Sequence, residues 1–115
     1  MIQNLILQLG IRFSDEEKQK CVSTAREMVK LAILAEEEGV LGLESEVTSN
    51  ENYSNFIKMG TNLILDAVTP DTMEKIFQHC ILSGGYTGTE LLEKLIMAEG
   101  LLLTSLITQI GRAHV

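Results

Sequence analysis

The residue types that most often carry catalysis or bind metals are scarce in this chain of 115 residues. Histidine occurs only at His79 and His114, and cysteine only at Cys21 and Cys80. Because neighbouring side chains on a helix point about 100° apart, His79 and Cys80 do not form a ready-made Cys–His nucleophile pair. They also lack the four-residue spacing that places two metal ligands on one helical face. The sequence predicts no catalytic site, no metal site and no cofactor.

Acidic side chains form the densest chemical group in the sequence. Glu36–Glu38 are consecutive, and Glu44 and Glu46 follow shortly after Gly39 and Gly42. Such paired carboxylates are more often a solvated helix face than a general acid–base couple, which needs groups with different environments. They would form an acidic surface on both sides of the glycines. We therefore predict a protein-interaction surface that consists of Glu36, Glu37, Glu44 and Glu46.

The overall charge limits the classes of partner. The formal net charge is −7, from 16 acidic and 9 basic residues. This excess of acid argues against nucleic acids and anionic membrane surfaces, both of which select a basic footprint. It suits a basic protein partner, although acidity also simply favours solubility. The glycine-rich stretch Ser83–Gly88 lacks the Gly-Lys-Ser/Thr end of a phosphate-binding loop, so we predict a connector there and no small-molecule substrate.

Helical patterns cover most of the chain. Ser14 and Glu17 form a capping-box pattern, and Thr69 followed by Pro70 is a typical helix start. Four main helices are predicted, from about Asp15 to near Glu46, from about Asn52 to Ala67, from Pro70 to before Ser83, and from about Thr89 to Gln109. Residues Met1–Leu9 are predicted to add one or two helical turns. The two cysteines, in apolar helical surroundings, are predicted to be reduced thiols that pack as small hydrophobic side chains.

Apolar residues at three- and four-residue steps predict the buried face of each helix. In the first helix these are Val22, Ala25, Val29, Ala32 and Ile33, and in the second they are Phe56, Met59 or Gly60, Leu63 and Ile64. In the third they are Met73, Ile76, Phe77, Cys80 and Ile81. In the fourth they are Leu91, Leu92, Leu95, Ile96, Leu102, Leu103, Leu106 and Ile107.

Two glycines interrupt the first helix where the acids lie. Gly39 and Gly42 each cost a helix about 1 kcal/mol relative to alanine, so they predict a bend or a close approach of another helix. The tetrapeptide Glu38-Gly39-Val40-Leu41 recurs as Glu99-Gly100-Leu101-Leu102. This weak repeat suggests a pseudo-symmetric pair of helices, each with a Glu-Gly step.

The residues around Gly39 resemble a known signature. Ala35, Gly39 and the run Val40-Leu41-Gly42-Leu43-Glu44 fit the Ala-Arg-x-x-Gly, apolar, apolar, small, Leu-Glu pattern of flagellar stator A subunits, in the MotA/TolQ/ExbB proton-channel superfamily. A second block, Phe56, Gly60, Leu63 and Asp66, fits the Phe-x-x-x-Gly-x-x-Leu-x-x-Asp of that family, and Pro70 then opens the next helix. The likeness covers residues 20–82, and it concerns the cytoplasmic part of those subunits.

The resemblance implies a protein-binding role. In stator A subunits, charged residues of this region meet the rotor ring of the flagellar motor, and Glu44 matches such a position. Two positions depart from the family pattern. Its arginine is replaced by Glu36, which reverses the charge, and its Asp-Gly is Asp66-Ala67. A reversed charge at a steering contact changes which surface is attracted, so the partner need not be the usual one.

The last six residues, from Ile110 to Val115, resemble the in-frame translation of a sequencing-library adapter. We therefore treat residues 1–109 as a MotA-like helical domain truncated at its C-terminal end, and residues 110–115 as an adapter artefact. The natural chain is expected to continue beyond Gln109. No apolar run reaches the roughly 20 residues of a membrane span, so a membrane is expected only through a missing segment or another chain.

These observations predict an all-α fold, a small antiparallel helical bundle with one long helix and about three shorter ones. The expected function is a non-enzymatic protein-interaction domain, cytoplasmic and resembling the rotor-facing part of a stator A subunit. Its partner would be a rotor-ring protein or another stator subunit. The alternative is a self-associating helical scaffold, a homo-oligomer without a motor role, in which exposed leucines of the last helix bury against a second copy.

Overall fold

The chain folds into an all-α bundle, as the sequence predicts. The structure is a computed structural model that describes residues 10–113, with the side chains of residues 10–111. Its helices are α1 (Asp15–Lys20), α2 (Val22–Ser49), α3 (Asn55–Leu65), α4 (Pro70–Ser83) and α5 (Gly88–Ala113), and no strand occurs within this range. The predicted helical turns at Met1–Leu9 lie outside the described residues.

The capping box at the start of α1 is confirmed. The Ser14 backbone N–H donates to Glu17 Oε1 at 2.9 Å, and the Glu17 N–H donates to Ser14 Oγ at 3.1 Å. The predicted single helix from Asp15 to near Glu46 is wrong, because the chain leaves helical geometry at Cys21 (φ −97°, ψ 2°) and a new helix begins at Val22. The Cys21 thiol is buried and donates to the Thr89 carbonyl at 3.6 Å, which ties this break to the start of α5.

The predicted bend at Gly39 is a reversal of chain direction. Gly39 has φ 71° and ψ −165°, which is not helical. In a straight helix, residues 26 and 50 would lie about 36 Å apart. Instead Asn50 and Tyr53 line one small cavity together with Arg26 and Glu27. The first arm of α2 (residues 22–38) and its second arm (residues 40–49) therefore form an antiparallel helical hairpin.

Glycine is needed at position 39 because of its backbone angles. A positive φ combined with an extended ψ is a region that essentially only glycine occupies. A Cβ atom at Gly39 would meet nothing within 4 Å, so the alternative prediction of a close helix approach there is wrong. The tight contact lies at Gly42, where a Cβ would collide with the Cβ of Glu38 across the reversal.

Helices α3 and α4 begin where side-chain caps are available. Ser54 Oγ accepts from the Ile57 N–H at 3.3 Å, and Thr69 Oγ1 accepts from the Thr72 N–H at 3.4 Å. Pro70 occupies the first turn of α4, as predicted. The predicted start of α3 at Asn52 is three residues early because Ser54, rather than a residue before it, caps the helix.

Helix α5 is the centre of the bundle and contacts each of the other four helices. A Cβ at Gly100 would lie 2.6 Å from Met28 Cβ, so the first arm of α2 crosses α5 at this glycine. One residue later, Leu101 is buried against Gly60 of α3. The α5 helix also extends beyond the predicted end at Gln109.

The predicted buried faces of α2 and α5 are partly wrong. Val22, Val29 and Ile33 are exposed on α2, and Leu103 and Leu106 are exposed on α5. Ala32 is buried as predicted, and the other buried positions of α2 are Met28, Leu31, Ala35, Leu43 and Val47. The α5 core includes Met97, Ala98, Leu101, Leu102 and three hydroxyl residues, Thr104, Ser105 and Thr108. Both helices carry apolar residues on more than one side, so periodicity alone could not select the buried side.

We expect the Gly39→Ala substitution to destabilise the protein by about 1–3 kcal/mol, because alanine must adopt a strained backbone conformation although its methyl group has free space. Urea denaturation monitored by circular dichroism measures this loss. Gly111→Ala, which also adds a methyl group in open space but at a helical position without a positive φ, is the matched control. Equal stability of the two variants would contradict a strained reversal.

Gly100→Ala tests the crossing of α2 and α5. Alanine is the better helix former by about 1 kcal/mol, yet its Cβ would collide with Met28 Cβ, which cannot move without the backbone. We expect a net destabilisation of about 1–3 kcal/mol, as is typical of an overpacked core. Gly111→Ala on the same helix is expected to be neutral or slightly stabilising. An increase in the free energy of unfolding for Gly100→Ala would show that the helices are not in contact there.

Candidate functional site

The reversal at Gly39 presents most of the predicted acidic surface. Glu36, Glu37 and Glu38 end the first arm of α2, and Glu44 lies in the second arm; all four side chains are exposed. Among the described residues the one ion pair joins Lys20 Nζ to Glu16 Oε1 at 3.4 Å, in α1. The acids of the reversal are therefore not neutralised by a basic side chain of the described chain.

Glu46 differs from the other predicted site residues. Its side chain is half-buried, and its Oε2 accepts a hydrogen bond from the Tyr53 hydroxyl at 2.8 Å. Burial raises the pKa of Tyr53 most, and the bond to Glu46 raises it further, so Tyr53 stays a protonated donor. Glu46 thus holds the connector after α2 in place and offers little of its charge to a partner.

The motif residues from the sequence have mainly structural positions. Leu43 is fully buried, and the ring of Phe56 packs against Phe77 with centroids 5.3 Å apart. Gly60 allows Leu101 to approach α3 closely. Asp66 is exposed at the end of α3, and the cap of the following helix comes from Thr69 rather than from this acid.

An apolar cavity lies beside the acidic reversal. It has a volume of about 450 Å³ and is lined by Ala35, Glu36, Gly39, Val40, Ile107, Thr108, Ile110 and Gly111. Ile110 and Gly111 belong to the segment that resembles an adapter, so the other six residues carry the argument. Glu36 is the charged member of this lining. The arrangement can receive an apolar side chain while it presents carboxylates to a basic one.

A second, more polar cavity of about 260 Å³ lies between the first arm of α2 and residues 50–53 of the connector after α2. Glu27 lines it, and burial raises the pKa of this carboxyl while nearby Lys30 opposes the shift. Sequence reasoning missed Glu27 and Tyr53 as interacting residues. The two residues line the same cavity because of the hairpin, and no spacing along the chain signals a pair that is separated by a reversal.

The cysteines and histidine do not assemble into a reactive group. His79 is exposed, Cys80 is half-buried and Cys21 is buried, and both cysteines are free. Burial raises the pKa of the Cys21 thiol, and the nearby charges of Glu93 and Glu17 raise it further, which disfavours the reactive thiolate. Over the residues that the structure covers, no group of three or more His, Cys, Asp or Glu side chains could hold a metal ion.

Comparisons with family models, curated proteins and solved structures found no match to this chain. The likeness to stator A subunits therefore remains a prediction that depends on the two sequence blocks. Among the described helices, none combines the length and the apolar character needed to cross a membrane.

Glu27 yields a pH-dependent prediction. Because its folded-state pKa is raised, the folded protein binds this proton more tightly than the unfolded chain does, so the ionised carboxylate opposes folding at neutral pH. We expect Glu27→Gln to be more stable than the original protein at pH 7. The difference should shrink as the pH falls through the raised pKa, where Glu27 becomes neutral.

Thermal unfolding of both proteins between pH 4 and 8 measures this trend. Glu37→Gln, which removes an exposed carboxylate from the same arm, controls for the loss of one negative charge. A Glu27→Gln variant that is less stable at pH 7 would show that the ionised form is favoured in the fold, contrary to the direction of the pKa shift.

Proposed function

We propose that this chain is a non-enzymatic protein-interaction domain that binds a basic protein surface through the acidic reversal around Gly39. The observation that carries the proposal is the exposure of Glu36, Glu37, Glu38 and Glu44 without an ion pair in the described chain. Like charges held close together repel one another, and a basic partner relieves that repulsion. The resemblance to stator A subunits suggests a rotor-ring protein as such a partner, with another stator subunit as a second possibility.

The backbone of the reversal supports binding because it presents the acids from helices rather than from a loop. The turn at Gly39 connects two helical arms, and Leu43 and Val47 bury the second arm in the core. Side chains on such fixed elements lose less conformational freedom on binding than those of a mobile segment. The surface is therefore preorganised for a partner.

The adjoining apolar cavity supports a mixed contact. Interfaces gain most of their affinity from a few apolar or aromatic anchors in pockets, while charged rims mainly steer association. The cavity next to Glu36 is large enough for one such anchor. The best fit is thus a partner with a large apolar side chain surrounded by lysines or arginines.

Glu36 bears on the choice of partner. The stator pattern has an arginine at this position, so a rotor face that pairs with that arginine would repel Glu36. If the partner is a rotor ring, its contacting face must be basic. We expect Glu36→Arg to weaken binding to a basic face and to improve binding to an acidic one.

Titration calorimetry with a purified rotor-ring protein that has a basic face tests the proposal. Glu44→Lys is expected to raise the dissociation constant about tenfold at low salt, since it replaces an attraction with a repulsion at a rim contact. The affinity of the original protein should also fall as sodium chloride rises from about 50 to 300 mM, because salt screens exposed charges.

The matched control is Glu90→Lys, which makes the same change in charge at an exposed position in the first turn of α5. The reversal lies near the opposite end of this helix, beside Ile107. It should change the affinity much less than Glu44→Lys does. Binding that is insensitive to salt and to Glu44→Lys, or equally sensitive to both variants, would contradict a local acidic binding surface.

A further inference from the structure

The side of the bundle formed by the first arm of α2 and by α5 is apolar but exposed. Val22, Val29 and Ile33 on α2 retain 37%, 57% and 48% of their accessible surface, and Leu103 and Leu106 on α5 retain 52% and 40%. The steps of seven, four and three residues between them place each set on one side of its helix. We refer to these five residues as the α2–α5 face. An exposed apolar surface of this kind is typical of an interaction site.

A groove runs along the boundary between the two helices. It has a volume of about 370 Å³ and is lined by Ala25, Met28, Val29, Ile96, Glu99, Gly100, Leu103 and Leu106. Glu99 is its only charged lining residue, and Glu99 Oε1 is buried without a hydrogen-bond partner among the described residues. An acidic side chain in an otherwise apolar groove favours an occupant that carries a basic group.

The chain itself carries a suitable donor on the same face. Arg26 is exposed, lies four residues after Val22 and seven before Ile33, and forms no ion pair within the described chain. Within one molecule Arg26 does not pair with Glu99 Oε1, and it borders the cavity that Asn50 and Tyr53 also line. It is therefore free to meet a carboxylate of another molecule.

The first arm of α2 and α5 run in the same direction. Cys21 contacts Thr89 near their starts, Met28 contacts Gly100 midway, and Ala35 and Ile107 line one cavity further along. Because residues 28 and 100 lie at the same level, Arg26 and Glu99 differ in level by about one residue rise, 1.5 Å. The levels of Ile33 and Leu106 along the helix axes also differ by about one residue rise.

This matched register makes the face complementary to itself. A two-fold axis parallel to the helices would place α2 of one copy against α5 of the other at unchanged levels. Each residue that contacts a partner residue is then contacted in return, which is the property of an isologous interface. The dimer would contain two Arg26–Glu99 pairs, each between Arg26 of one copy and Glu99 of the other. Ile33 of each copy would pack against Leu106 of the other.

We propose that the α2–α5 face is the interface of a homodimer, in which Arg26 of each copy donates to the Glu99 carboxylate of the other. The dimer forms a four-helix arrangement from two α2 first arms and two α5 helices. It buries the five apolar side chains and places a basic group beside the Glu99 carboxylate. The occupant of the groove is thus a second copy of this chain.

Sedimentation equilibrium of the full chain at about 1–100 µM tests the proposal, with far-UV circular dichroism as a check on folding. We expect a monomer–dimer equilibrium for the original protein. Leu103→Glu places a charge in the middle of the interface and is expected to yield a monomer throughout this range. Leu82→Glu, at an exposed leucine of α4 outside the face, is the matched control and should dimerise normally.

The charge pair is tested by exchange. Arg26→Glu alone places two carboxylates together and should raise the dissociation constant about thirtyfold or more, while the double variant Arg26→Glu with Glu99→Arg should restore much of the affinity. Restoration separates a direct pair from a general loss of stability. A folded protein that is monomeric at 100 µM, a dimer that persists in Leu103→Glu, or a double variant no better than the single one would overturn the proposed interface.

Discussion

The fold depends on one backbone conformation, the positive φ of Gly39. Glycine alone adopts these angles without strain, and they turn one apolar-rich helical segment back on itself within a single residue. The hairpin brings Asn50 and Tyr53 back beside Arg26 and Glu27, which creates the polar cavity. The acids on both sides of the turn are exposed together as a consequence. The turn at Gly39 therefore determines both the hairpin and the position of the proposed acidic binding surface.

The second constraint is the close packing around the middle of α5. Gly100 accepts Met28 of α2, and the next residue, Leu101, fills the space above Gly60 of α3. Because Gly100 and Gly60 have no side chain, α2, α3 and α5 can approach one another closely at the middle of α5. The contact also sets the register between α2 and α5, which is the geometric basis for proposing a self-complementary face. Burial of Thr104, Ser105 and Thr108 shows that one side of α5 stays in the core beyond this point.

The two surfaces suggest different roles for charge. At the reversal, exposed carboxylates act at a distance, so they affect how fast and how selectively a partner arrives. In the α2–α5 groove, one oxygen of the Glu99 carboxylate is buried without a hydrogen-bond partner among the described residues, so in the proposed dimer a charge pair there would mainly affect how long the two copies stay together. A domain that pairs through one face and attracts a basic protein through the other would present two acidic reversals at once. Such bivalent display increases avidity without a new contact.

The sequence alone determined the helical class, the caps at Ser14 and Thr69, and the special nature of Gly39, because these depend on neighbouring residues. It could not determine that Gly39 reverses the chain while Gly100, in a similar tetrapeptide, stays within a straight helix against Met28. Periodicity predicts that Val22, Val29 and Ile33 lie in the core, whereas the tertiary structure exposes them. Periodicity shows that a helix has an apolar side, but when it has two, only packing against other helices decides which one is buried.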